Sequence, residues 1–280
     1  MKITIYTPES AMRSPGKMLA GMWQDLVQSR ELALRLAIRD IRGMYRQSFL
    51  GIFWAFLLPL ANTLTWIFLN GSGILHVATT NIPYPVYVLT GTLLWSIFMD
   101  SMQAPLTQAT AAKDMLSKIN FPREALIISG IFQTLFNAVI KIAIIIIALV
   151  IINVYPGWTL LLLPFSVLAL ILAGTTIGLF LTPVGLLYTD IGKFIPLAMQ
   201  FFMFITPVVF PIPISGWVRY LFIYNPVTPL IMTAREWLTA SPVDFFNGFL
   251  LVTASFVVIL FLVWIVYRAA MPILIERMNA

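Results

Sequence analysis

The sequence predicts an all-α integral membrane protein. It has six transmembrane helices, N-in and C-in, with an N-terminal amphipathic interfacial helix and re-entrant gate helices between spans five and six. Three observations predict this. The first is composition: of 280 residues, 60% are hydrophobic and only 10% charged, against about 25% charged in a soluble domain. A soluble domain of this length needs a charged skin that the chain cannot supply, and the mean hydropathy of +0.94 agrees. A soluble enzyme, a disordered chain and a nucleic-acid-binding module are thereby excluded. The second is a set of six stretches, 50–69, 86–106, 125–152, 160–181, 194–210 and 246–269. Each comes near the ~20 mostly apolar residues that cross a hydrocarbon layer about 30 Å thick. The third is charge placement. Fourteen of the seventeen lysines and arginines fall in residues 1–48, in the second and fourth connections, or in the C-terminal tail. The first and third connections carry none, the fifth only Arg219 and Arg235, and Lys141 lies inside span three. The positive-inside rule puts both termini in the cytoplasm, as an even number of spans also requires. The net charge of +6 is therefore a topology signal, and no nucleic-acid partner is implied. The chain divides into a cytoplasmic segment 1–48, a transmembrane domain 49–270 and a tail 271–280.

Residues 19–45 read as an amphipathic helix. Arg35, Arg39, Arg42 and Arg46 recur at helical spacing as a basic stripe beside an apolar one of Leu34, Ile38, Ile41 and Tyr45. Glu31, four residues before Arg35, supports the turn. Such a helix lies on the cytoplasmic membrane face with its cations among anionic head groups. It is a plain juxtamembrane anchor or a collar that also touches a cytoplasmic partner. Residues 1–18 hold no apolar run long enough for a signal peptide.

Spans one and two are joined by a short uncharged loop. The connection 109–124 is polar, cytoplasmic and long enough for a short helix at about 109–122, and Pro122 suits the first turn of span three. Composition alone leaves an ordinary solvated loop equally open. Span three exceeds the bilayer thickness, so it tilts or extends past the surface. Asp100 and Lys141 are the two ionisable residues within spans, and intramembrane charges are functional candidates by default. Counted from the cytoplasmic ends, their depths differ by roughly 12 Å at 1.5 Å per residue. A direct ion pair is thus not expected unless span three is displaced inward; Lys141 is expected to face a wet lumen or pair within an oligomer.

The fifth connection, 206–245, is too long for a hairpin and too apolar for a free loop. Pro207, Pro211, Pro213, Pro226 and Pro229 exclude a continuous spanning helix, while 217–224 and 230–240 suit short helices. Non-helical backbone at membrane depth needs cover. The segment 207–240 is therefore expected to dip into the outer leaflet as a broken hairpin around 224–229, with Trp217 and Trp237 at the outer interface. A pair of helices lying on the surface is the alternative.

No phosphate-binding loop, nucleophile elbow or paired-carboxylate face occurs. The chain has no cysteine, and His76 alone builds no metal site. No cofactor is therefore expected in this chain, and a membrane conduit driven by a gradient or a partner is the simplest reading. Aromatic residues make up 14%, with Trp54 and Trp66 in span one, Trp95 and Phe98 in span two, and Phe201 and Phe202 in span five. Most such rings pack against helices or lipid. A stripe along a lumen would suit sugars, whose axial C–H groups slide over ring faces.

The stretch from Arg46 through Trp54 to Leu60 resembles the start of the first span in membrane subunits of polysaccharide-exporting ABC transporters, the families that export O antigen, capsule and teichoic acid. The resemblance continues through Lys118–Glu124, 190–193, 206–210 and 224–229, in the right order over most of the chain. It implies a homodimer in the bacterial cytoplasmic membrane, with two separate ATPase subunits that carry ATP and Mg. It implies a coupling helix docked on the ATPase, with candidate residues Lys113, Asp114, Ser117, Lys118, Asn120, Phe121, Arg123 and Glu124. The N-terminal helix would lie against the same partner. The fifth connection would form gating helices, with Tyr224, Asn225, Pro226 and Pro229 at the outer gate. Spans one and five would line a channel for a lipid-linked polysaccharide. Two rival readings remain: an ABC exporter of drugs, haem or lipids, and a membrane enzyme acting on lipid-linked sugars. The latter has only Glu236 and Asp244 as external carboxylates, which look isolated in sequence.

Overall fold

The computed structural model describes residues 15–46, 53–74, 77, 80–113, 115 and 121–279. Helix α1 runs Pro15–Arg46, α2 Trp54–Gly71, α3 Tyr84–Ala111 and α4 Glu124–Ile151. A 3-10 turn, Trp158–Leu162, leads into α5, Leu163–Leu187, and then α6, Asp190–Phe204. Two short helices, α7 Val218–Tyr224 and α8 Val227–Thr239, precede α9, Phe246–Asn279. No strand occurs among the described residues, so the all-α class holds. Three helices among them are long and apolar enough to cross a membrane: α4, α5 with its leading turn, and α9.

Helix α3 is the hub. It touches α2, α4, α5, α6 and α8, and residues 86–95 are buried without interruption. A helix buried all round shows no polar face, which is why α3 combines apolar residues with small ones such as Gly91, Ser101 and Ala109. Its closest neighbour is α5. There Gly178 lies where a Cβ would strike the Met102 carbonyl oxygen, and at Gly174, one turn earlier, a Cβ would strike Ser101 Oγ. This small-x-x-x-small spacing lets two backbones approach as in membrane helix pairs. Helix α9 sits at the edge, with only 17% of its most apolar window buried. Leu250, Leu251, Val257, Val258, Phe261, Leu262 and Val266 point outward, an apolar face far larger than a soluble surface carries.

Two boundaries differ from expectation. The apolar stretch 194–210 is not one helix. α6 starts at Asp190 and stops at Phe204, because Pro207 lacks a backbone donor and keeps the preceding residue out of the helical region. Helix α9 continues through 271–279, so the stretch read as the tail is its last turns.

Helix α1 packs on α4 with a face other than the apolar stripe read for the membrane. Met22, Ser29, Ala33, Leu36 and Ala37 are buried, while Leu34 and Ile38 stay exposed together with Trp23 and Val27. The small residues Ser29, Ala33 and Ala37 allow close approach, so size selects the packed face. The bulky stripe remains as a second, uncovered apolar face. The side chains of Tyr45 and Arg46 lie outside the described residues.

The expectation for Asp100 and Lys141 is overturned. Lys141 Nζ lies 2.7 Å from Asp100 Oδ2, and Asn137 Nδ2 donates to the same oxygen at 3.4 Å. Further along, Gln108 Nε2 donates to Gln133 Oε1 at 3.0 Å. The two contacts are spaced by eight residues on both antiparallel helices. This register starts α4 roughly six residues, about 9 Å, beyond the end of α3. The stagger cancels the depth difference inferred from counting. Lys141→Met alone is expected to cost about 1–2 kcal/mol, since Asp100 loses its cation but keeps partial exposure and the Asn137 contact, whereas Asp100→Leu with Lys141→Met is near neutral. Thermal unfolding of the purified chain distinguishes these outcomes.

Candidate functional site

Two polar clusters occupy opposite ends of the helix bundle. At the α1 end, Arg268 on α9 forks between two carboxylates. One guanidinium nitrogen lies 2.6 Å from Asp25 Oδ2 on α1, and the other lies 2.7 Å from Glu124 Oε1 at the start of α4. Asp25 and Glu124 are only 8% and 5% exposed. A planar guanidinium suits this double contact, which a lysine ammonium does not reproduce. Gly21 leaves room for it, since a Cβ there would lie 3.3 Å from the Arg268 Nη2.

At the other end, Arg235 on α8 is 3% exposed. Its Nη2 donates to the carbonyls of Pro207 at 2.7 Å and Val208 at 3.1 Å. Its Nε donates to Thr90 Oγ1 at 3.2 Å. The guanidinium lies over the Tyr87 ring, 3.7 Å from the centroid, and the Tyr87 hydroxyl donates to Pro207 and Phe210 carbonyls. Arg235 and Tyr87 thus satisfy the carbonyls freed where the helix breaks after α6, as backbone in an apolar setting demands. Gly91 makes the approach possible, because a Cβ there would strike the Val208 carbonyl oxygen and Arg235. Asn225 completes the junction. Its Nδ2 donates to Thr206 Oγ1 at 2.7 Å and the Ile205 carbonyl at 3.2 Å, while its Oδ1 accepts from the Val227 amide at 2.9 Å. It therefore ties the end of α6 to the start of α8, where an Asn is a strong cap.

A cleft opens beside this junction, lined by Tyr87, Arg219, Arg235, Glu236, Thr239, Ser241 and Asp244 among others. Glu236 and Asp244, isolated in sequence, line it together. Glu236 belongs to α8, which is too short to span. Burial foremost, then the neighbouring Asp244 charge, push its carboxyl up to about 7.

The candidate residues fare unequally. Of the coupling set, Asp114, Ser117, Lys118 and Asn120 lie outside the described residues. Lys113 is exposed just past α3, and Phe121 is half-buried against the cluster around Leu126 and Tyr267. Glu124 pairs with Arg268 within the chain. Of the channel set, Trp54 and Phe201 are exposed. Trp66 is half-buried and meets Phe204 and Phe210 edge-on at centroid distances of 6.1 and 5.9 Å, joining α2 to the end of α6. Phe98 and Trp95 are 0% and 6% exposed; the Trp95 ring meets Phe98 and the half-buried Phe202 at a tilt, with centroids 5.4 and 6.4 Å apart. Their helix is the enclosed hub, so they line no open surface of this chain. Of the gate set, Tyr224 is exposed and stacks on Tyr220, Asn225 is the buried cap, Pro226 flanks the start of α8, and Pro229 packs near Gly248. Trp217 is exposed, whereas Trp237 is buried against Phe249. Arg235 and Arg268 carry the two clusters, yet sequence reasoning counted them only as topology charges. For Arg235 the available signal was a lone cation inside an apolar, proline-bounded segment.

An all-helical membrane protein with a broken helix held by buried polar groups, and no ATP-binding loop, is the form of a transport subunit. A profile of the ABC-2 type transporter family matches residues 31–239, from the second half of α1 to the end of α8, and the chain belongs to that family. Its relatives include the O-antigen export system permease protein RfbA of Myxococcus xanthus, 27% identical over 68% of this chain and 72% of that protein. RfbA of Klebsiella pneumoniae is 21% identical over 74% and 79%. The polysialic acid transport protein KpsM of Escherichia coli is 26% identical over 72% and 78%.

Proposed function

We propose that this chain is the channel-forming membrane subunit of an exporter that moves a lipid-linked polysaccharide outward across the bacterial cytoplasmic membrane. The observation that carries the reading is the family match together with relatives named for O-antigen and polysialic acid export. Two copies form the conduit, each with six spans and both ends in the cytoplasm, and two separate ATPase subunits supply ATP and Mg. The uncovered face of α1, with Trp23, Val27, Leu34 and Ile38 exposed, supports a helix lying in the membrane interface. The ring contacts between α2 and α6 support a shared wall of spans one and five. The buried junction of Asn225, Arg235 and Tyr87 supports a broken hairpin at membrane depth, because irregular backbone there must have its polar groups covered.

Two measurements test the reading. Deleting the gene should remove polysaccharide from the cell surface; an unchanged surface glycan would exclude this cargo. Co-purifying the chain with its ATPase and introducing Lys113→Glu with Lys118→Glu should lower stimulated hydrolysis and export at least tenfold without changing the melting temperature. Wild-type stimulation in that variant would remove the coupling role from this segment.

A further inference from the structure

We propose that the cleft beside α8 binds an uncharged, hydroxyl-rich sugar unit of the emerging glycan, with Glu236 and Asp244 accepting hydrogen bonds from its hydroxyls. The inference rests on the polysaccharide reading and deepens it. The cleft measures about 430 Å³, within the roughly 300–1,000 Å³ of small-ligand sites. Its polar groups define what fits. Arg219 Nη1 already donates to the Pro213 and Ile214 carbonyls. Arg235 is committed to Pro207, Val208 and Thr90. Arg235 is thus taken up by the fold, and the exposed Arg219, with Nη1 engaged, is matched by the carboxylate of Asp244 in the same cleft, which disfavours an anionic ligand. Glu236 is 5% exposed, and its Oε2 has no hydrogen-bond partner. That carboxyl has hydrogen-bonding capacity left over, which a hydroxyl-bearing ligand in the cleft can use. Asp244 stands beside it as a second acceptor, and the Thr239–Ser241 hydroxyl pair, 2.9 Å apart, both donates and accepts.

Glu236 and Asp244 share the cleft with the guanidiniums of Arg219 and Arg235, so no excess of negative charge is left there for a bare cation. No group of three metal-binding side chains occurs among the described residues. Ile82, Pro211, Ile212, Ile223 and Pro242 supply apolar walls. Acceptors, hydroxyls and apolar walls around a neutral centre match a sugar ring, which carries O–H donors at its rim and C–H groups on its faces. On the exporter topology the cleft lies at the outer end, where a sugar unit arrives after crossing.

The probe is a set of lipid-free oligosaccharides, released by mild acid from the surface polysaccharide of the cell that encodes the chain. Binding to the purified full chain in nanodiscs is read by saturation-transfer NMR, with wild type compared to Glu236→Gln and, on the cleft's rim, Asp244→Asn. We expect wild-type binding and at least tenfold weaker binding in both variants, with melting temperatures unchanged for Asp244→Asn. Absence of wild-type binding, or wild-type affinity in Asp244→Asn and Glu236→Gln, would overturn the proposal. So would saturable binding of Mg²⁺ or Ca²⁺ alone that both variants abolish. If gene deletion removes the surface glycan while both variants bind normally, only the cleft assignment fails; if deletion leaves the glycan intact, the exporter reading fails and takes this one with it.

Discussion

Arg235→Met is expected to lower the stability of the chain by about 4 kcal/mol and to abolish transport. Methionine fills similar apolar volume, so the loss isolates the polar role. The Val208 carbonyl loses its donor and the Pro207 carbonyl keeps only the longer contact from Tyr87, at about 1–3 kcal/mol for a buried group left unsatisfied. The contact over Tyr87 adds about 2 kcal/mol when desolvated. Arg235→Lys should be intermediate, because one ammonium has no fork for two carbonyls and no plane to lie on the ring. Gly91→Ala should reproduce the defect from the opposite side, since its methyl occupies the space of the Val208 oxygen and the guanidinium. Thermal unfolding in detergent, with export measured in cells, checks all three. A wild-type melting curve for Arg235→Met would show that other groups hold the broken helix.

Arg268→Ala is expected to cost about 3–5 kcal/mol, because it strands two carboxylates in a buried position. Asp25 and Glu124 both face the missing guanidinium. The damage should fall on α1, which Asp25 fastens to α4 and α9. Hydrogen exchange in α1 should quicken while α3 and α5 stay protected. Asp25→Asn with Glu124→Gln in the Arg268→Ala background should recover much of the loss, since neutral amides tolerate burial that unpaired carboxylates do not. Unchanged exchange in α1 would mean that its small-residue packing suffices without the ion pairs.

What could be read without coordinates was what depends on neighbouring residues in the chain. Helix positions, the proline-bounded segment 207–240 and the amphipathic start follow from composition and period. The break after Phe204 was implicit in Pro207, although the apolar run concealed it. Contacts between distant segments were not legible. Counting residues placed Asp100 and Lys141 at different depths because counting assumes level helix ends, and α3 and α4 are staggered. Trp95, Phe98 and Trp237 looked like surface or channel rings because an aromatic residue carries no mark of which neighbour encloses it. The Leu34–Ile38 stripe was a real apolar face, but the packed one is set by Ser29, Ala33 and Ala37.

A membrane protein, the uneven placement of its charge and the lack of an ATP-binding loop follow from apolar length, basic asymmetry and motif spacing, which are linear properties of the chain. It takes the packed helices to show that Arg235 staples the broken helix, that Arg268 clasps α1 to α4 and α9, and that Glu236 and Asp244 share a cleft. These groups are separated by up to 243 positions in the chain, and their distances depend on how closely small residues let the helices approach. That approach is a property of paired surfaces, which no single segment encodes.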